Sequence, residues 1–131
     1  MDIVALVGPG SCGKTTTLNI VYDSVIQNGG VSTNRQPQGA NPTDFSDIVL
    51  YKGNKIAFFT MGDYAQAVIA AVRNYSAKNC DKLVIACNDG FVRPFNEFAN
   101  HNHTIINKTA HSPQLQQADD NATAQKIFNM L

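Results

Sequence analysis

Eight consecutive residues, Gly8-Pro9-Gly10-Ser11-Cys12-Gly13-Lys14-Thr15, carry the strongest chemical signal in the sequence. The glycines allow a tight turn in which successive backbone N–H groups point into one concavity. Such a concavity attracts phosphate oxygens, and the positive end of a following helix adds to that attraction. In this pattern Lys14 reaches the β- and γ-phosphates of a nucleotide, and the Thr15 hydroxyl ligates Mg²⁺. The spacing therefore predicts a phosphate-binding loop that extends to Thr16.

The segments on either side of this loop have the pattern that its function requires. Residues 3–7, Ile-Val-Ala-Leu-Val, form an apolar run typical of a buried strand. After the loop, Leu18, Val21, Tyr22 and Val25 recur at helical spacing, which predicts a helix from Lys14 to about residue 27. A strand, a glycine loop and a helix in this order make the phosphate-binding interpretation specific.

On Gly8, Gly13, Lys14 and Thr15 the chain resembles the P-loop NTPases, whose Walker A pattern these residues match one by one. It also resembles small uncharacterised ATP-binding P-loop proteins in which a later strand ends in a Gly-Asp pair, here Gly62-Asp63. The resemblance implies a P-loop NTPase fold, ATP as the nucleotide and Mg²⁺ as its metal ion. It also implies phosphoanhydride chemistry, as in a hydrolase or a kinase.

The remaining periodicities predict the other elements of one domain covering residues 1–131. Strands are expected at 45–51, 55–60, 83–87 and 104–106, and helices at 63–77, from Arg93, and from about Asp120. Residues 29–43 are almost entirely polar and are expected to form a long loop. Alternating strands and helices predict a three-layer α/β/α sandwich with a mainly parallel sheet of about five strands. Residues 45–51 are expected to be its one antiparallel edge strand.

A carboxylate that would complete a Mg²⁺ site is not obvious, because the apolar strand at residues 55–60 has Phe at position 59 and contains no acidic residue. Asp63 is the nearest substitute, and it could either hold Mg²⁺ through water or position an attacking nucleophile. It also starts an Asp-x-x-Gln pattern with Gln66, which is typical of a helix cap. Asp44, at the end of the long loop, is a further candidate for sensing the γ-phosphate, with turn chemistry as the alternative.

Two arginines could contribute charge to the site. Arg35, in the long polar loop, is a candidate arginine finger supplied within the chain, or a solvated loop charge. Arg93, at the start of a predicted short helix, is a candidate for contacting phosphates or substrate.

The sequence favours ATP over GTP. Asn107-Lys108-Thr109-Ala110 is similar to the guanine-reading pattern Asn-Lys-x-Asp, but Ala110 replaces the aspartate. Without that carboxylate, nothing in the pattern accepts the guanine N1–H and amino hydrogens.

The composition argues against two other classes of function. Ten basic and ten acidic residues give a net charge of zero, which makes a broad nucleic-acid surface unexpected. No run of 18 apolar residues is present, so no membrane span is expected. Three cysteines, an odd number, favour a reducing compartment and hence the cytoplasm. Cys12 is expected to be a variable loop position, with an activated thiolate as the alternative.

These observations lead to two functional hypotheses. The first is slow hydrolysis of a nucleoside triphosphate, or phosphoryl transfer to a small-molecule acceptor. The second is a nucleotide-binding switch or adaptor with little catalysis, which would signal to a protein partner through the long loop.

Overall fold

The structure, a computed structural model, describes all residues 1–131 and consists of seven strands and four helices. The strands are β1 (Asp2–Gly8), β2 (Val31–Ser32), β3 (Gln36–Pro37), β4 (Phe45–Tyr51), β5 (Asn54–Phe59), β6 (Lys82–Asn88) and β7 (Asn102–Asn107). The helices are α1 (Lys14–Gln27), α2 (Ala65–Ala77), α3 (Arg93–Phe98) and α4 (Pro113–Phe128). None of the four helices has the length and apolar character needed to cross a bilayer.

The centre of the sheet is parallel, as the alternation of strands and helices predicted. Four parallel strands lie in the order β5-β6-β1-β7, so β1 has a parallel neighbour on each side. Val7 near the end of β1 pairs with Cys87 on β6 and with Asn107 on β7. The carboxyl ends of these strands therefore share one edge of the sheet, which is where open α/β sheets bind ligands. The predicted phosphate loop leaves β1 at this edge.

Helices cover both faces of the sheet, which gives the three layers that the sequence predicted. Successive side chains of a strand point to opposite faces, and β1 supplies both cores in this way. Val4 and Leu6 pack against α1 and α4, whereas Ile3, Ala5 and Val7 pack on the side of α2 and α3. The α1 residues of the predicted apolar stripe lie in the first of these cores.

The prediction of about five strands was wrong, because the polar segment between α1 and β4 contains two more. Strands β2 and β3 each pair antiparallel with β4, and all four of their residues are exposed. A two-residue strand on the surface has no alternation of apolar and polar residues to reveal it. Consequently β4, which is antiparallel as predicted, is not the edge strand of the sheet.

Two helices begin at other residues than predicted. Helix α2 begins at Ala65 after Tyr64, without a side-chain capping hydrogen bond, so the capping role predicted for Asp63 was wrong. Helix α4 begins at Pro113, seven residues before the expected Asp120. Proline is well tolerated in the first turn of a helix, since its missing N–H would have no partner there.

Candidate phosphate-binding site

The phosphate loop connects the end of β1 to the first residue of α1. Gly13 precedes the helix with φ of 92°, a left-handed conformation that glycine adopts without strain. A Cβ atom at this position would lie 2.4 Å from Asp120 Oδ1. Both the conformation and the close contact explain why a glycine occupies the position directly before Lys14.

Lys14 folds back over the loop and is buried. Its ammonium group donates hydrogen bonds to the carbonyl oxygens of Gly8, at 2.9 Å, and Pro9, at 2.7 Å. The Cys12 sulfur lies 3.8 Å from the same nitrogen, and Cys12 is fully buried. The lysine is thus held inside the loop, and Cys12 is a packed thiol with no access to solvent.

A buried carboxylate lies directly beside the loop threonine. Asp44 Oδ1 accepts hydrogen bonds from the Thr15 hydroxyl, at 3.0 Å, and from the Thr60 hydroxyl, at 2.9 Å. Thr60 in turn accepts a hydrogen bond from the Phe45 backbone N–H at 2.9 Å. Asp44 is only 6% exposed, so these hydroxyl donors are its stabilising partners in a site largely closed to water.

Strand pairing explains how Asp44 reaches this position. In the antiparallel hairpin of β4 and β5, Ser46 pairs with Phe59, so the residues before β4 lie beside those after β5. Asp44 is therefore delivered to the carboxyl edge of the sheet, close to Thr60. In the sequence, the segment of β5 itself contains no acidic residue. Pairing the residues of β4 and β5 outward from the hairpin turn at Lys52-Gly53 places Asp44 beside the end of β5. This pairing is the sequence signal that would have identified Asp44 as the carboxylate at that end.

Next to these residues is a cavity of about 410 Å³, which we call the phosphate cavity and which has no hydrophobic residue in its lining. It is lined by Ser11, Gly13, Lys14, Thr15, Thr16, Asn41, Thr43, Thr60, Gly62, Asp63, Gln116 and Asp120. Asp44 is not itself in the lining but is hydrogen-bonded to two residues that are, Thr15 and Thr60. Asp63 is exposed and makes no side-chain hydrogen bond, whereas Asp44 is buried and bonded to Thr15. The structure thus brings two predicted carboxylates to the site in different environments.

Gly62 has a packing role next to this cavity. A Cβ atom at Gly62 would lie 2.6 Å from the backbone of Ala86 on β6. The Gly62 carbonyl also accepts a hydrogen bond from the Asn88 N–H at 3.0 Å. The loop after β5 therefore lies directly on the end of β6, which only a glycine permits.

Helix α4 closes the other side of the phosphate loop, a feature that the sequence analysis missed. The ammonium group of Lys108 forms ion pairs with Asp119 and Asp120. Gln116 donates to the Cys12 carbonyl oxygen at 2.8 Å and to Asp120 at 2.7 Å, and Thr17 donates to Asp120 at 3.3 Å. The loop and the first half of α4 are therefore joined by a buried polar network.

The charge of Lys108 is stabilised by this network. Burial lowers the pKa of Lys108, but hydrogen bonds to Asp119 and Asp120 and their negative charges raise it more, so that it lies above its usual value. In the sequence, Lys108 belongs to an incomplete guanine-reading pattern. In the structure, its side chain is only 1% exposed and forms ion pairs with α4.

The two candidate arginines lie elsewhere. The Arg35 guanidinium lies over the rings of Phe45, at 4.0 Å, and Tyr22, at 4.6 Å. Arg35 is not among the residues lining the phosphate cavity, and its role as an arginine finger stays a prediction. Arg93 is exposed at the first residue of α3 and is also outside this lining.

The donor set of the site fits the ligands that the sequence predicted. Thr15 and Asp44 supply oxygen atoms, which are the ligands that Mg²⁺ prefers. Lys14 and the start of α1 supply positive charge and N–H groups, which suit phosphate oxygens. The arrangement can therefore hold a metal-bound polyphosphate beside an exposed carboxylate, Asp63.

Comparisons with known proteins give no relative of this chain. No protein-family model matches the sequence, no curated protein matches it, and no solved structure matches the fold.

Proposed function

We propose that the protein is a P-loop NTPase that binds ATP with Mg²⁺ and slowly transfers the γ-phosphoryl group to water or to a small acceptor. The observation that carries this proposal is the contact between Thr15 and the buried Asp44 carboxylate at 3.0 Å. The threonine directly after the loop lysine and the carboxylate hydrogen-bonded to it offer two neighbouring oxygen ligands. P-loop NTPases hold the Mg²⁺ of a bound nucleotide with a hydroxyl and a carboxylate of this kind.

Lys14 supports the phosphate part of the proposal. A buried ammonium whose partners are two loop carbonyls lacks a counter-charge, since neither partner is ionised. Phosphate oxygens would form charge-assisted hydrogen bonds with Lys14, which are stronger than those to neutral carbonyls. We expect Lys14 to exchange its carbonyl partners for the β- and γ-phosphates when ATP binds.

The two carboxylates have separate roles in this proposal. Thr15 and Asp44 would hold Mg²⁺, which would supply neutralisation of the phosphate charge. Asp63 is exposed in the same cavity and free of hydrogen bonds, so it can orient a water or hydroxyl nucleophile. Ala110, in place of a guanine-reading aspartate, favours adenine as the base.

A second candidate function is a nucleotide switch with little catalysis. One observation favours it: Asn41, Thr43 and Asp44, which surround the site, all belong to the connection between α1 and β4. A change at the γ-phosphate would therefore be transmitted directly to the surface segment that carries β2 and β3. In this case a protein partner would recognise that segment, and hydrolysis would be slow or absent.

Calorimetric titration with ATP, with Mg²⁺ and then with a chelator, tests the binding proposal. We expect saturable binding that weakens when the metal is removed. Lys52, exposed in the hairpin turn, provides the matched control, since Lys52→Ala removes one positive charge away from the site. Binding that is the same in Lys14→Ala as in Lys52→Ala would refute the phosphate site.

Turnover separates the two candidate functions. Release of phosphate by the parent above the Lys14→Ala background supports the enzyme. Tight ATP binding with no turnover above that background, with or without acceptors, favours the switch.

A further inference from the structure

A second cavity, which we call the edge groove, lies between α2 and the adjacent face of β4. Its volume is about 470 Å³, which is within the range of small-molecule sites. Ala67, Ala70 and Ala71 form the helical wall, and Ile48 and Phe59 contribute from the sheet. Because three of the α2 residues that border the groove are alanines, a ligand can approach the helix backbone closely at these positions.

The groove exists because only one face of β4 is covered by a helix. On the α1 face, Phe45 and Val49 are buried against Val21 and Val25. On the opposite face, the neighbouring β4 residue Ile48 is only partly buried and borders the groove. The groove is therefore a gap in the outer layer of the sandwich.

The lining of the groove favours a neutral ligand that forms hydrogen bonds. The lining includes four amide residues, Asn34, Gln36, Gln38 and Asn74. The Gln36 amide donates to Asn34 Oδ1 at 2.7 Å and the Gln38 amide donates to Ser46 Oγ at 2.9 Å, so the other N–H and C=O groups of these amides are the ones open to a ligand. Amides offer both donors and acceptors but no charge. Together with the apolar sheet residues, they suit a ring compound that has one apolar face and polar edges.

Charged groups are nearly absent from the interior of the groove. Asp47 is among the residues that border the groove, but its carboxylate already accepts hydrogen bonds from Tyr22 Oη, Ser32 Oγ and the backbone N–H groups of Asn34 and Ile48. Lys78, directly after α2, lies eleven residues beyond Ala67, roughly 16 Å along the helix axis, and its ammonium is 5.9 Å from the centroid of the Tyr75 ring. The one positively charged residue that borders the groove is therefore at one end.

The opposite end of the groove adjoins the phosphate cavity. Met61 borders the groove, whereas its neighbours Thr60 and Gly62 line the phosphate cavity. In the same way Gln38 borders the groove, and Thr43, five residues later, lines the phosphate cavity. Two segments of the chain therefore border both cavities, which places the two cavities next to each other.

We propose that the edge groove binds the phosphoryl acceptor, a neutral, hydroxyl-bearing ring compound of the size of a nucleoside or a monosaccharide. The proposal rests on the proposed function, because the phosphoryl group comes from ATP. An acceptor hydroxyl at the Met61 end lies beside the phosphate cavity, into which Asp63 projects.

ATP, the acceptor hydroxyl and Asp63 supply every group that takes part in the transfer step. The acceptor oxygen forms a bond to the γ-phosphorus, and the bond from that phosphorus to the β–γ bridging oxygen breaks. ADP leaves with the bridging oxygen, and the acceptor becomes a phosphate monoester. The hydroxyl proton passes to the Asp63 carboxylate and then to solvent.

Ligand-detected NMR with two named sets of probes tests the acceptor site. Adenosine and uridine represent nucleosides, and glucose and ribose represent sugars. We expect one set to bind the parent protein, and Ala70→Leu to weaken that binding by about tenfold or more, because leucine fills the groove. Ala77→Leu is the matched control, since Ala77 is exposed on the same helix and does not border the groove.

Adding ATP and Mg²⁺ to the bound probe tests the chemistry, with the phosphate monoester detected by phosphorus NMR. The acceptor proposal is overturned if neither probe set binds, and the groove would then be a candidate surface for a protein partner. It is also overturned if a probe binds the Ala70→Leu variant as tightly as the parent. Probe binding without any phosphate monoester also overturns it. ATP affinity is measured for the parent and for every variant. A parent protein that does not bind ATP refutes the proposed function, whereas a parent that binds ATP but no probe refutes only the acceptor site.

Discussion

The phosphate cavity and the edge groove are similar in volume, about 410 and 470 Å³, but differ in how they are built. None of the residues lining the phosphate cavity is hydrophobic, whereas half of those lining the groove are. Much of the phosphate cavity comes from one short stretch, residues 11–16, directly after β1. The groove is assembled from segments as distant as Asn34 and Lys78.

This difference separates two ways of making a binding site. A phosphate site needs N–H groups and charges at the end of a strand, so a short local sequence is sufficient to specify it. The groove depends on which part of the sheet the helices leave uncovered, and no local sequence encodes that gap. If the two regions act separately, a substitution in one of them should leave ligand binding in the other unchanged.

Replacing Lys14 by alanine should affect only the phosphate cavity. We expect ATP binding to weaken by about 2–3 kcal/mol, because a charge-assisted contact to phosphate is lost. Calorimetric titration measures this change, and circular dichroism checks that the variant is folded. Probe binding in the edge groove should be unchanged; a parallel loss there would show that the two cavities are one site.

Alkaline pH should weaken the layer on the α2 side of the sheet. Burial raises the pKa of Cys87 from 9.0 to about 11, and burial also raises the pKa of Cys80 and Tyr75 in the same core. A raised pKa of this kind stabilises the protein below pH 9, where the thiol is neutral in both folded and unfolded states. The unfolded state loses its proton first as the pH rises, so stability is lost between pH 9 and 11.

For Cys87 alone this loss amounts to about 2–3 kcal/mol. Urea unfolding at several pH values measures it, and Cys87→Ala should flatten the decline above pH 9. The ion-paired Lys108 next to the phosphate loop should respond later. Because the pKa of Lys108 is raised, the contribution of its ion pairs to the free energy of unfolding persists to pH 10.5. That contribution is lost only as the pH rises further. A decline that begins below pH 8 would contradict this assignment.

The two carboxylates of the phosphate cavity should separate in their effects. Asp44→Asn should weaken the Mg²⁺-dependent part of ATP affinity by about tenfold, or about 1.4 kcal/mol, because an amide is a poorer ligand than a carboxylate. Asp63→Asn should leave ATP affinity nearly unchanged and reduce turnover. Titrations with and without Mg²⁺, combined with turnover assays, distinguish the two. Equal losses of affinity in both variants would assign Asp63 to the metal as well.

Arg35 should contribute modestly to stability through its aromatic contacts. Arg35→Ala removes the guanidinium from the rings of Phe45 and Tyr22, which we expect to cost about 0.5–1 kcal/mol. Arg93→Ala, an exposed arginine on α3, is the matched control and should change stability less. Turnover of Arg35→Ala answers a second question, since a large loss of turnover at normal stability would support the arginine-finger prediction.

Regular and buried elements were predictable because their patterns are local. The parallel strands β1, β5, β6 and β7 read as short apolar or β-branched runs, and α1 showed its apolar stripe. The linker Lys52-Gly53-Asn54 contains a Gly-Asn pair that is typical of a hairpin, although in the structure Asn54 pairs with Tyr51 and the turn residues are Lys52 and Gly53. In contrast, the exposed strands β2 and β3 bury nothing, so their sequences do not differ from those of a polar loop.

The tight glycine loop and the placement of Lys14 and Thr15 at the start of α1 were predictable from the sequence alone, because strand, loop and helix are contiguous in the chain. Only the tertiary structure decided which acidic residue meets Thr15, since antiparallel pairing of β4 with β5 brings Asp44 there and leaves Asp63 exposed. It also decided that Lys108 pairs with α4. These contacts join residues far apart in the chain, and their formation depends on strand register and helix packing, which no local pattern encodes.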